Sequence, residues 1–259
     1  LDRIRRKLQL RGGYDAPCLA VPSALSEQRL TTNPSHASQL RVISLFEELQ
    51  PAELLQIAGL CTMQACEKHA QIMGEQDQTT DVFFILAGTV RISSYTEAGR
   101  EVIFTEMSAG DIFGEFSAVD RLPRSASIVA LSDCLLARMP SGKFFDVLKG
   151  HADISVRLIE LLVSKIRKMS ERVFEVSALA VRERVRRELL RLATEGTAFR
   201  NGVVIQPAPT HYEIAARIGS HREAVTREFN RLESENVIEV RRKQIRIIDI
   251  QRLKQMDGQ

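Results

Sequence analysis

The stretch THYEIAARIGSHREAVTREFNRLESE, residues 210–235, decides how the C-terminal third of the chain folds. Thr210 is followed three residues later by Glu213, and Thr-x-x-Glu ahead of an apolar run is a capping box that opens a helix. That helix, HYEIAARI, stops at Gly219. Ser220 then caps a second helix, HREAVTREFNRLESE, with Glu223 three residues on. Ala215, Ile218, Val225 and Phe229 or Leu232 fall where the two helices meet, so the spacing predicts a helix-turn-helix about a glycine turn. His221, Arg222, Glu223, Thr226 and Arg227 then lie on or near the outer N-terminal face of the second helix. Arginine donates two bonds to guanine O6 and N7, and glutamate accepts from cytosine N4, so this face suits base edges in a major groove. Thr210 and His211, at the start of the first helix, join the candidate DNA-binding set. RRKQIRIIDI, residues 241–250, follows as a two-stranded wing.

Charge supports a polyanion partner for this segment. Residues 178–259 hold 16 Lys/Arg against 11 Asp/Glu, whereas residues 1–177 hold 20 against 22. The whole-chain charge of +3 hides that asymmetry.

Upstream, residues 65–137 read as strands. HAQIM, VFFILAGTVRIS and EVIFTEM alternate with the turn segments GEQDQTTD, TEAGR and SAGD, and Gly74, Gly88, Gly99, Gly110 and Gly114 punctuate them. Turns at such short spacing predict an antiparallel β-barrel or sandwich, and with the helices around it an α+β chain. Within this region FGEFSAVDRLPRSASIVA, residues 113–130, has strand-like runs at both ends, with Glu115 and Arg124 between them beside small residues. The pair is either a surface turn or a cradle for a ligand bearing both a hydroxyl and a phosphate.

A long helix is expected over residues 152–178. Ile159, Ile166 and Val173 form one heptad series and Leu162, Met169 and Val176 the other, a stripe narrow enough for a coiled-coil seam. No other segment matches it in length, which favours a parallel homodimer. Residues 1–37 look irregular. No run approaches the ~20 apolar residues of a membrane helix, and no secretory signal stands at the start. Cys18, Cys61, Cys66 and Cys134 form neither a CxxC pair nor a zinc-spaced array, so they read as free thiols of a cytoplasmic protein. No nucleophile–base pair, P-loop or metal motif points to an enzyme.

The order of parts resembles the cyclic-AMP receptor protein/fumarate-nitrate regulator (CRP/FNR) family of bacterial transcription factors, over about residues 40–250. FGE…PRSA resembles the phosphate-binding cassette of cyclic-nucleotide domains, and IGSHREAVTRE the family's recognition helix, with Arg222, Glu223 and Arg227 in an R-E-x-x-x-R pattern. The resemblance implies a jelly-roll (double-stranded β-helix) cyclic-nucleotide domain over residues 38–151, a dimerisation helix over 152–177 and a winged helix-turn-helix over 178–259. It implies that Arg124 pairs with a cyclic phosphate, that Glu115 accepts from the ribose 2′-OH, and that Ser125 and the N–H groups of Ser125 and Ala126 complete the cradle. Gly114 would let the backbone approach the ribose, and Phe116 joins the ligand set. In relatives that respond to cyclic AMP a Thr-Ser pair on the long helix reaches the adenine; here the pair is Met169-Ser170, and Lys165 stands where relatives often carry arginine. The implied ligand is cyclic AMP and/or cyclic GMP, with no other cofactor and no metal. The implied partners are a palindromic double-stranded DNA of TGTGA-like half-sites, a second copy of the chain and RNA polymerase, with no membrane. A same-family regulator sensing haem, a metabolite or redox state, or no ligand, is the alternative; His69, His151 and the cysteine thiols are the candidate haem ligands.

Overall fold

The computed structural model describes residues 34–199 and 202–256. Most of the expected arm, up to residue 33, lies outside the described residues, and so does Cys18. Helix α1 (Pro34–Leu40) begins ahead of residue 38, inside the segment expected to be irregular. A 3₁₀ turn (Ser44–Phe46) and helix α2 (Pro51–Ala58) follow. Pro51 opens α2 at a position whose N–H has no helical partner in any case, and Gln50 N–H donates to Glu53 Oε2 at 2.8 Å.

Eight strands follow: β1 (Thr62–Cys66), β2 (Gln71–Met73), β3 (Val82–Ala87), β4 (Thr89–Tyr95), β5 (Glu101–Ser108), β6 (Ile112–Phe113), β7 (Ser127–Ala130) and β8 (Cys134–Met139), with helix α3 (Glu115–Asp120) between β6 and β7. They form two antiparallel sheets, ordered β1-β8-β3-β6 and β2-β7-β4-β5. The sheets pack face to face without closing into one hydrogen-bonded ring, so the expected barrel is a jelly-roll sandwich. Met73, Phe83, Ile85, Val90, Phe113, Ile128 and Leu136 fill the space between them.

The unbroken apolar run of β3 has a physical reason. Phe83 and Ile85 enter the inter-sheet core, while Val82, Phe84 and Leu86 enter a second core against the helices. A strand covered on both faces carries no polar alternation. The single run VFFILAGTVRIS is in fact two strands. Gly88 breaks it in a left-handed conformation (φ +89), where a Cβ would lie 2.4 Å from the Asp133 carbonyl oxygen.

Helix α4 (Ser141–Gly150) leads into α5 (Ala152–Ala178), the long helix. Its apolar docking is at the start, where Ile154, Leu158, Leu161 and Leu162 pack into the helix-side core. Ile159, Ile166, Met169, Val173 and Val176 are 51–65% exposed in the single chain. Leu162 is therefore shared between the stripe and the body of its own chain.

The C-terminal part contains α6 (Val181–Ala193), β9 (Thr197–Phe199), β10 (Gly202–Ile205), α7 (His211–Arg217), α8 (Arg222–Ser234), β11 (Ile238–Arg241), β12 (Gln244–Ile247) and α9 (Ile250–Gln255). Val185, Leu189, Ile214, Val225, Phe229, Leu232, Ile245 and Leu253 make its core. The wing is half of a four-stranded sheet, β11-β12-β10-β9, rather than a free hairpin. Helix α9 closes the unit, capped by Asp249 Oδ1, which accepts from the N–H groups of Gln251 and Arg252. No helix among the described residues is long and apolar enough to cross a membrane.

Phe84 is fully buried, with its ring centroid 4.9 Å from that of Phe46 and 6.4 Å from that of Phe144. Phe84→Ala leaves a cavity where sheet and helices meet, and it should lower stability in urea by about 3–5 kcal/mol.

Candidate functional site: a buried arginine cradle and a basic reading face

The segment at 113–130 is half strand and half helix. β6 ends at Phe113, Gly114 is left-handed (φ +83), and α3 starts at Glu115, so Glu115 and Phe116 are helical where FGEF reads as strand. A Cβ on Gly114 would lie 2.7 Å from the Asp81 carbonyl oxygen and 2.9 Å from Arg124 Nη1. The space into which a side chain would grow here is taken by the protein itself.

Arg124 is 1% exposed. Its Nε donates to Thr79 Oγ1 at 3.0 Å, Nη1 to the Gly114 carbonyl at 2.9 Å and Nη2 to the Asp81 carbonyl at 2.8 Å. The main chain adds Arg124 N–H to the Asp77 carbonyl and Gln76 N–H to the Arg124 carbonyl, both at 2.9 Å. The residue is thus a strut that ties the 74–81 loop to α3, not a group reserved for a ligand. Burial pushes its guanidinium down from the ordinary value, against the carboxylates of Asp81, Asp77 and Glu115, which favour the charge. A guanidinium has five N–H groups. Three are spent here, which leaves one on each terminal nitrogen.

The next two residues carry unpaired donors. The N–H groups of Ser125 and Ala126 make no hydrogen bond among the described residues, and neither does the exposed Ser125 hydroxyl. Adjacent free N–H groups beside an arginine form an anion-binding concavity. Across from them Glu115 is 3% exposed, and its Oε1 accepts from Lys165 Nζ of α5 at 2.6 Å. Lys165 also donates to the Ile112 carbonyl at 3.2 Å and stands 5.8 Å from the Phe116 ring centroid. The cradle is therefore linked to the long helix through an ion pair, and Lys165 is not a free donor. Met169 and Ser170, one turn on, face solvent, and the Ser170 hydroxyl donates to the Ile166 carbonyl at 3.0 Å. Two clefts at the foot of α5, around Arg157, share no residue with the cradle.

In the C-terminal unit the capping box forms: Thr210 Oγ1 accepts from Glu213 N–H at 3.2 Å, and Thr210 N–H donates to Glu213 Oε2 at 2.8 Å. Gly219 makes the turn at φ +63. The second cap differs from the sequence reading, because the N-cap of α8 is His221 and Ser220 is 7% exposed, its N–H donating to the Ala215 carbonyl. Thr226 is also not an outer residue, since its hydroxyl meets His211 Nδ1 at 2.9 Å and locks α7 to α8. Burial, and then the charge of Arg222, holds the His211 imidazolium below its ordinary range. His221, Arg222, Glu223 and Arg227 are exposed together. The wing tip brings Arg241, Arg242 and Lys243 to the surface, with Arg241 held by Glu239. The run RRK was the available signal for these extra basic groups.

A two-sheet sandwich, a long helix and a winged helix-turn-helix define a class of two-domain transcription regulators. A family model of the cyclic nucleotide-binding domain matches residues 63–151, and one of the Crp-like helix-turn-helix domain matches residues 183–256. The chain is 31% identical over 173 residues to the cAMP-activated global transcriptional regulator CRP of Pasteurella multocida, covering 66% of this chain and 82% of that one. It is 29% identical over 179 residues to the regulator of the same name from Haemophilus influenzae, covering 69% and 80%. Its fold matches a CooA mutant from Carboxydothermus hydrogenoformans with a TM-score of 0.71 at 19% identity, covering 90% and 99%. The chain belongs to the CRP/FNR family of transcription regulators.

Three substitutions weigh the buried charges. Arg124→Ala strips three acceptors of their donor, and it should cost about 3 kcal/mol or more of stability. Lys165→Met leaves the Glu115 carboxylate buried without its cation, so the double variant with Glu115→Gln should unfold at a higher urea concentration than Lys165→Met alone. A double variant weaker than that single variant would mean the pair is not coupled.

Proposed function

We propose that the protein is a cyclic-nucleotide-responsive, sequence-specific DNA-binding regulator that works as a homodimer in the cytoplasm, with RNA polymerase as the downstream partner. The observation that carries the ligand reading is the set of unspent groups in one cradle. Two Arg124 N–H groups, the N–H groups of Ser125 and Ala126, and the free Glu115 Oε2 match a singly charged phosphate and a neighbouring hydroxyl. A buried phosphate keeps its charge only beside charged or converging donors. Glu115 is poised to accept from a 2′-OH while Lys165 keeps its other oxygen. Gly114 and Phe116 shape the mouth of this site. The bare stripe Ile159–Ile166–Met169–Val173–Val176 supports pairing with a second copy, which would bring a second Met169-Ser170 to the ligand base.

Base choice falls to that helix. Ser170 spends its proton on Ile166, so it offers lone pairs, which suits the adenine amino group. Met169 adds only a weak acceptor. The Ser125 hydroxyl is free for the N2 of a syn guanine. The reading is therefore cyclic AMP, with cyclic GMP within about tenfold. DNA is read by Arg222, Glu223 and Arg227, with Thr210, His211, Ser220 and His221 at the helix ends, on a TGTGA-like palindrome whose half-sites lie about one helical turn apart.

Arg124→Lys is the decisive variant for the ligand. It keeps the charge, but its three N–H groups are all claimed by Thr79, Gly114 and Asp81. Calorimetric titration should show a folded protein whose cyclic AMP affinity has dropped by about tenfold or more. Unchanged affinity would refute the pocket, and a Soret band in the purified protein would move the sensor to haem. Met169→Thr should shift preference toward cyclic AMP. On DNA, Arg222→Ala should cost ~1–3 kcal/mol at one guanine and relax specificity there; an equal loss on random duplex would make Arg222 a phosphate contact.

A further inference from the structure

A chain of ion pairs joins the two halves of the molecule. Arg91 of β4 donates to Glu106 of β5 at 2.9 Å and to Glu213 of α7 at 2.6 Å. Arg217, at the far end of α7, meets Glu106 at 2.6 Å and Glu188 of α6 at 3.6 Å. Glu188, 2% exposed at its side chain, takes Arg172 from the end of α5 at 3.1 Å. Each of Arg91 and Arg217 bridges two carboxylates, and each is under 15% exposed, so the cluster is sheltered from the screening that weakens surface pairs. Burial opposes the Arg91 charge, but its two glutamates more than restore it. Helix α7 packs directly on β5 at this point.

Two features give the cluster a role beyond holding halves together. Glu213 is also the capping-box residue of α7, so the clamp grips the first reading helix at its cap. And β4 is the neighbour of β7, with Arg91 opposite Val129, while β7 begins directly after Arg124-Ser125-Ala126. One sheet pairing therefore separates the strand that follows the cradle from Arg91. The clamp does not cover the reading face, because Arg222, Glu223 and Arg227 stay exposed.

We propose that Arg91, Glu106, Glu213 and Arg217 form an ionic clamp that positions the reading helices on the nucleotide-binding sandwich and transmits the state of the cradle to DNA affinity. The transmission rests on the cyclic-nucleotide reading above; the clamp itself does not. In this scheme the four residues are positioning residues, acting through β4, β5 and α7.

The full chain, with Glu106→Gln, Arg217→Gln and the double variant, tests both parts. Amide hydrogen exchange without ligand is the first readout. Each single change should speed exchange about tenfold in both 101–108 and 211–217, including the segment left unsubstituted, and the double change should add little. Exchange altered only in the substituted element, or fully additive effects, overturns the clamp. The second readout is the gain in affinity for the palindromic duplex on adding cyclic AMP. That gain should fall toward onefold in the variants while cyclic AMP affinity stays the same, and Arg217→Lys should restore part of it. A full gain in variants that have lost cross-domain protection overturns the transmission. No gain in the unsubstituted chain, with the exchange result intact, overturns the nucleotide reading and the transmission but upholds the clamp.

Discussion

The buried guanidinium of Arg124 is the interaction on which the rest of the N-terminal unit depends. It lies in a site of neutral acceptors, two main-chain carbonyls and one hydroxyl, with no carboxylate in direct contact. A cation so placed is solvated by the protein alone. Its three bonds set the 74–81 loop, the Gly114 corner and the start of α3 in one geometry. Whatever binds there meets a site already formed, so little ordering cost is left to the moment of binding.

Much of this was legible in the sequence because the signals are local. The capping box at Thr210 and Glu213, the Gly219 turn and the inward-facing Val225 and Phe229 each follow from spacing within one or two turns of helix. The stripe of α5 is equally plain, since a heptad is a purely sequential pattern. Near misses cluster where two adjacent residues compete for one role: His221, not Ser220, has the extended backbone of an N-cap. β9 is too short for its alternation to register.

What stayed hidden is the long-range pairing of charges. The residue types at Glu115 and Arg124 suggested a site, yet nothing local says that Arg124 would spend its bonds on carbonyls, which every residue possesses. Lys165 and Glu115 are 50 positions apart, and Arg91 and Glu213 are 122 apart. Such contacts exist only once the sheets and helices have been placed. In this chain the cradle's composition could be read from spacing, but its wiring to the long helix and to the reading helices could not.

The bare stripe of α5 has one more consequence. Water pays an entropic penalty along five exposed apolar side chains, and burial against a twin helix would remove it. Pairing of that kind is second order in protein, so the fraction of paired molecules would climb steeply with copy number. A regulator of this build would register its own abundance as well as its ligand. Where most chains are still unpaired and the site is far from saturated, halving expression would lower occupancy by more than half.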